Sequence, residues 1–404
     1  MEIRQNERAR SMPDRIVVDR YAWPHKSAWT ERACLTLLLV SAAACAGNAA
    51  RIRSVERMPQ YDALFSRQQG WTGADGAYTV ALDDETTLWL FSDTWIGPVV
   101  DGKHKDATMV NNSVALQKGK DPNTASVDFF WGSGPDGRPK ALVEPADGVG
   151  WFWIFDGVLA HDKLYLFLMQ IVRTDEKGVW GFKQVGAVLG ELANWRDAPP
   201  AWRIRQRKIP FGCYADSGNT FFGSAVMKTN GFVYIYGARE DRSRGPGGRG
   251  MIVARVAEEA LTDFSRWRFH ADGTWSENFH DVTESFRGFA TECSVSYQPP
   301  LQQYVATYTE CGMSAKILIR TAPTPVGPWS APRQVYECPE NKWHETYFCY
   351  AAKGHPELSR NDDLVITYVC NAHDFWQMAR DARIYRPRFI RITFEPTAAA
   401  AVKP

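Results

Sequence analysis

The chain has 404 residues, with 47 Lys and Arg against 46 Asp and Glu and a net charge of +1, so it lacks the basic excess needed to follow nucleic acid. A hydrophobic share of 45% excludes a disordered or collagen-like chain, and the one long apolar run lies near the start, which excludes a membrane protein of many spans. Phe, Trp and Tyr make up 13%, a surplus of rings that must fill sheet interiors or meet a flat ligand.

Residues 1–50 read as a targeting segment rather than as fold. A lead carrying Arg4, Arg8, Arg10, Arg15 and Arg20 precedes a short apolar core, residues 33–45, that ends in small residues. This is the pattern of a secretory signal peptide, too short for a stop-transfer helix. The lead is long, so Met12 or a later site is a candidate translation start. Ala42 and Ala44 suit a signal peptidase, and Cys45 stands where a lipoprotein signal would carry its lipid. Export makes six later cysteines candidates for disulfides: Cys213, Cys293, Cys311, Cys338, Cys349 and Cys370. Cys293 with Cys311 is the favoured pair, near the facing ends of one predicted hairpin, and no CxxC spacing suggests zinc.

From residue 51 onward one unit recurs. Its second strand begins at Leu88, Leu164, Val233, Tyr304 and Leu364, at intervals of 60 to 76 residues. Third strands begin at Ser113, Gly186, Ile252, Ile317 and Phe389, and Trp202, Trp267 and Trp329 mark fourth strands. First strands are expected near Asp75, Asp156, Gly223, Glu292 and His355. Five units of about four strands predict an all-β, five-bladed β-propeller over residues 51–396, ahead of a disordered tail at 397–404. Blade five lacks its own fourth strand, so residues 51–66 are expected to close the ring. Val256–Phe264 suggests a short helical turn, and the Gly- and Arg-rich segment Arg242–Arg249 a flexible loop at the mouth. A β-sandwich or two separate β domains is the competing architecture.

In a propeller the first strands line a central channel, and their starts lie at the face where second strands end. The first-strand starts supply Asp75, Asp156, Ser224, Glu292, His355 and Glu357; the second-strand ends supply Asp93, Gln170, Arg173, Arg239, Glu240, Glu310, Asn371, His373 and Trp376. Asp75, Asp156 and Glu292 are carboxylates on three different blades, the set that glycosidic cleavage uses as acid, base or nucleophile, and pKa-raising neighbour. Trp71, Asp93, Asn112, Ser224, Arg239, His355, Glu357 and Asn371 are candidate substrate contacts. Each has a plainer reading, with Trp71, Trp95 and Trp376 in blade packing, Asn111 and Asn112 in loop caps and His355 in the core. No second His at ligand spacing supports a metal, and no cofactor is implied, although His355 could sit beside a channel ion or water.

Trp71–Tyr78 and Leu88–Gly97 resemble the first blade of the secreted bacterial propellers of domain-of-unknown-function family 4185 and its relatives. Phe221–Val226 and Tyr350–Leu358 resemble its third and fifth first strands, so the likeness runs from Gln69 to Phe394. Part of that group is glycoside hydrolase family 183, endo-acting on D-arabinofuranose polymers. More distantly the chain is similar to the five-bladed furanosidases of families 43 and 62. The resemblance implies a secreted monomeric hydrolase of furanosidic polysaccharide, most simply an arabinan, with Asp75 as base or nucleophile, Glu292 as acid and Asp156 as helper. A glycan-binding propeller without catalysis is the alternative. A sialidase is disfavoured by the absence of a Ser-x-Asp-x-Gly-x-x-Trp repeat.

Overall fold

The computed structural model describes residues 50–176, 180–360 and 362–396. The expected leader with Cys45 and the expected tail lie outside the described residues. Five antiparallel sheets follow one another along the chain, each built outward from its inner strand. Blade one comprises Trp71–Ala81, Thr86–Ile96, Ser113–Lys118 and Ser126–Phe130. Blade two comprises Trp151–Ala160, Lys163–Arg173, Phe182–Leu192 and Ile204–Lys208. Blade three has the core Gly218–Thr229, Phe232–Glu240, Arg249–Ala257 and Arg268–Ala271, with a short extra strand on each edge. Blade four comprises Cys293–Gln298, Gln303–Thr309, Lys316–Ala322 and Arg333–Glu337. Blade five takes Tyr347–His355, Asp363–Ala372 and Arg388–Phe394 from the C-terminal end and Ile52–Arg57 from the start of the described chain. The ring therefore closes as the edge argument predicts, with Val55 opposite Ile392. Each first strand packs on the first strands of both neighbouring blades, blade five on blade one included.

Second strands are sandwiched between blades, which is why they read as unbroken apolar runs rather than alternating ones. Leu88, Trp89, Leu90 and Phe91 are all fully buried. Trp202, Trp267 and Trp329 stand just ahead of fourth strands, and only Trp267 is fully enclosed.

First strands depart from regular pairing at matching places. The register shifts between Ala74 and Gly76, between Ile154 and Gly157, between Phe222 and Ala225, and between Tyr350 and Lys353. Such bulges re-aim side chains, and here they bracket Asp75, Asp156 and Ser224. At the first of them Gly76 has φ +79°, a conformation that favours glycine.

Several expectations need correction. Cys293 and Cys311 are not bonded, and the six described cysteines are all free. Cys293 lies opposite Tyr308 and turns its thiol inward to the Ser224 carbonyl at 3.8 Å, whereas Cys311 lies past the end of that ladder. Arg242–Gly248 is wound into a tight turn capped by Asp241, whose carboxylate accepts from the Ser243 amide and, at 2.8 Å, from Arg244 Nε. The short helical turn expected in Val256–Phe264 is present in 3₁₀ form at Glu258–Ala260, and a second such turn follows at Phe264–Arg266. No helix among the described residues is long and apolar enough to cross a membrane.

Candidate active site at the channel mouth

Blade one delivers two carboxylates. Asp75 projects from the bulge of the first strand, and its Oδ2 accepts from Tyr350 Oη at 2.6 Å and Tyr385 Oη at 3.0 Å. Its Oδ1 is buried without a partner. Asn371 Nδ2 donates to Tyr350 Oη at 3.3 Å, which steadies that phenol from the end of blade five's second strand. Asp93, on the second strand, accepts through Oδ1 from Trp153 Nε1 at 2.9 Å and Asn111 Nδ2 at 3.1 Å.

Glu292 immediately precedes the first strand of blade four, two blades away around the ring, and its Oε1 lies 3.6 Å from Lys353 Nζ. Lys353 is only 1% exposed. Its ammonium donates to the carbonyls of Ala351, at 2.8 Å, and Gly76, and sits 4.2 Å over the Tyr78 ring.

These groups share one electrostatic field in a poorly hydrated space. Burial raises the Asp75 carboxyl above its ordinary range, against the two phenolic donors that favour its charged form. Burial, helped by the Asp75 charge, pushes Asp93 up to about 7. Burial also takes Glu292 to about 7, with Lys353 opposing and Asp75 adding to the rise. Burial lowers Lys353, while its acidic neighbours act against that loss of charge. The cluster can therefore hold and exchange protons near neutral pH.

Other candidates lie elsewhere. Asp156 is also pushed to about 7 by burial, but its two oxygens accept from the backbone amides of Gly157 at 2.8 Å and Val226 at 2.7 Å. It lines a small pocket with Thr79, His355 and Glu357, and Lys353 forms part of that lining, so the ammonium stands between Asp156 and Glu292. His355 ends the first strand of blade five instead of starting it, so with Glu357 it faces away from the mouth. Both His355 ring nitrogens lie within hydrogen-bond distance of hydroxyls, 2.6 Å from Thr79 and 2.7 Å from Thr367, which occupies the nitrogens an ion would need. Among the described residues no group of three His, Cys, Asp or Glu is placed to hold a metal.

Trp71 is buried against Phe129, with ring centroids 4.4 Å apart, and is blade packing rather than a sugar platform. Asn112 is fully buried and ties blade one to the start of blade two through the carbonyls of Val143 and Phe152, both at 2.9 Å. Ser224 is fully buried, and its carbonyl accepts from Tyr78 Oη at 2.9 Å. Arg239 is half-buried near the end of its strand, opposite Thr220. Of the eight expected substrate contacts, Asp93 and Asn371 are the ones joined to Asp75's surroundings by hydrogen bonds or charge.

No sequence signal assigns Tyr350, Tyr385, Lys353 or Trp153 to the site. Tyr350 and Lys353 become visible once blade five's first strand is placed one segment earlier. Tyr385, from the connection before Arg388, carries no repeat signal.

Residues 59–394 match the sequence profile described as "Domain of unknown function (DUF5005)". The chain belongs to the DUF5005 family. A search among curated proteins returns no match. Among solved structures, this DUF5005 chain is similar to a candidate hydrolase from Bacteroides ovatus, with TM-score 0.66 and 20% identity over 84% of this chain and 90% of that one. It is similar at TM-score 0.44 and 11% identity to the catalytic domain of a Coprinopsis cinerea GH62 α-L-arabinofuranosidase, over 81% of this chain and 92% of that one. A thermostable family-43 glycoside hydrolase follows at TM-score 0.43 and 12% identity, over 80% and 89%. The first of these likenesses bears on the fold of the DUF5005 chain; its chemistry has to be argued from the carboxylates.

Proposed function

We propose that this protein is an exported glycoside hydrolase that cleaves furanosidic polysaccharide, an arabinan of the D-arabinofuranose type, as its resemblance to the 4185 group suggests. The observation that carries the reading is the gathering of Asp75, Asp93 and Glu292, from blades one and four, in one electrostatic cluster at the channel. Cleaving a glycosidic bond takes a carboxylic acid to protonate the leaving oxygen and a carboxylate on the other side of the sugar.

Glu292 suits the acid, because a carboxyl held near 7 stays protonated in a large share of molecules at neutral pH, where an ordinary carboxyl has lost its proton. Asp75 suits the base or nucleophile, because two phenols donate to Oδ2 and leave Oδ1 free of protein partners. As base it takes a proton from water while that water attacks the anomeric carbon; as nucleophile it forms the bond itself and water later releases the sugar. Asp93, in place of the expected Asp156, is the helper.

The test is hydrolysis of purified arabinans by the wild type, Asp75→Asn and Glu292→Gln. The wild type should release soluble sugar, and each amide should cut the rate roughly a hundredfold or more. Binding of the polymers without any product from the wild type would sink the enzymatic reading in favour of a glycan-binding propeller.

A further inference from the structure

A chain of aromatic rings runs from the partner of Asp93 to the partner of Asp75. Trp153, which donates to Asp93, packs edge-on against Phe182 at 4.7 Å, and Phe182 lies 6.3 Å from Trp180. Trp180 reaches Phe348 at 6.1 Å and His373 at 6.0 Å, and these two are 4.5 Å apart. Phe348 lies 5.5 Å from Tyr350, which donates to Asp75. Trp153, Trp180 and Phe182 belong to blade two, whereas Phe348, Tyr350 and His373 belong to blade five. Those blades flank blade one, so the arc spans the sector that holds Asp75 and Asp93.

Trp180 at its middle is 42% exposed, and with His373 it offers ring faces to solvent between blades two and five. Asn111, the second donor to Asp93 Oδ1, lines a groove of about 460 Å³ between blades one and two, together with Val143, Gly150 and Trp151.

We propose that the aromatic arc is a collar that receives the terminal unit of the sugar chain, while the rest of the chain leaves along the groove. This rests on the glycoside hydrolase reading but departs from the endo attack that the likeness to family 183 implies, since units would be removed from the ends of the polymer. A sugar's apolar face stacks on exposed rings, which Trp180 and His373 supply at the middle of the arc with the buried Phe348 behind them, and an arc tied to both flanking blades leaves one direction in which the chain continues.

The experiment follows product lengths over time from end-labelled linear arabino-oligosaccharides of defined length. The wild type should give one product size from the earliest samples. Trp180→Ala, a change at an exposed ring, should lower kcat/KM roughly tenfold and release mixed lengths. Calorimetric titration of Asp75→Asn with the same oligosaccharides, with and without Trp180→Ala, reads the collar apart from the chemistry, and adding Trp180→Ala should weaken binding roughly tenfold. Mixed products from the wild type, or equal affinity with and without Trp180, overturn the collar. Absence of wild-type hydrolysis with Trp180-dependent binding overturns the hydrolase reading and leaves the collar standing as a binding device; absence of both hydrolysis and binding overturns the two together.

Discussion

Asp93 feels the charge of Asp75 but is held differently, and the difference makes Asp93 the better probe of the field. Both donors to Asp93 converge on Oδ1, so an amide at this position can keep them both. Its folded-state value of about 7 stands above an unfolded value of about 4. Between those two pH values the native state holds a proton that the unfolded chain has released, so stability falls as pH rises through the window and levels off above it. One such proton changes stability by at most about 1.4 kcal/mol per pH unit. Asp93→Asn cannot ionise, so its melting temperature should match the wild type near pH 4 and exceed it near pH 8. Glu292 and Asp156 are raised by the same burial and keep part of the slope in the variant. Parallel melting curves across that range would show that Asp93 is not the buried, destabilised charge described above.

Strands differ in how openly a sequence displays them. Second strands are legible because both faces are covered, so runs such as Leu164–Met169 stand out as apolar blocks. First strands hide, because they mix small residues with buried polar ones. In Tyr347–His355 the fully or almost fully buried set includes Lys353 and His355, which hydropathy alone assigns to a surface. Hydropathy therefore sets His355 at a strand's start and gives Tyr350 and Lys353 no site role, although Tyr350–Leu358 is legible as a first strand. The bulges are less legible still, since register depends on a partner strand that periodicity does not reveal.

Gly76 tests what one bulge does. A Cβ there would lie 3.0 Å from the Ser92 amide nitrogen, at a backbone angle that side chains seldom adopt. Gly76→Ala should cost about 1–2 kcal/mol in urea unfolding and lower kcat more than it raises KM, because the strain falls next to Asp75. A variant with native stability and native kcat would mean that the bulge does not fix the carboxylate.

At the scale of the whole ring, the fold depends on joining its two ends. The family match begins at residue 59, after the strand Ile52–Arg57 that completes blade five. That strand covers the outer edge of Arg388–Phe394, and Arg57 reaches the fully buried Glu340 at 3.2 Å, whose other oxygen accepts from Tyr368 Oη at 2.8 Å. A protein beginning at Met58 would retain the match, yet expose one sheet edge and leave Glu340 without its cation. An unpaired edge carrying Phe389, Ile390 and Ile392 is a template for pairing with another copy. The truncated form should therefore melt several degrees lower than one beginning at Ala49 and should scatter light increasingly with concentration. Because all five blades press their first strands on one another, loss of the closing strand should loosen the channel as a unit and reduce hydrolysis even though no mouth residue is removed. Equal melting temperatures and equal activity would show instead that packing between blades, and not the strand that joins the ends, holds the ring closed.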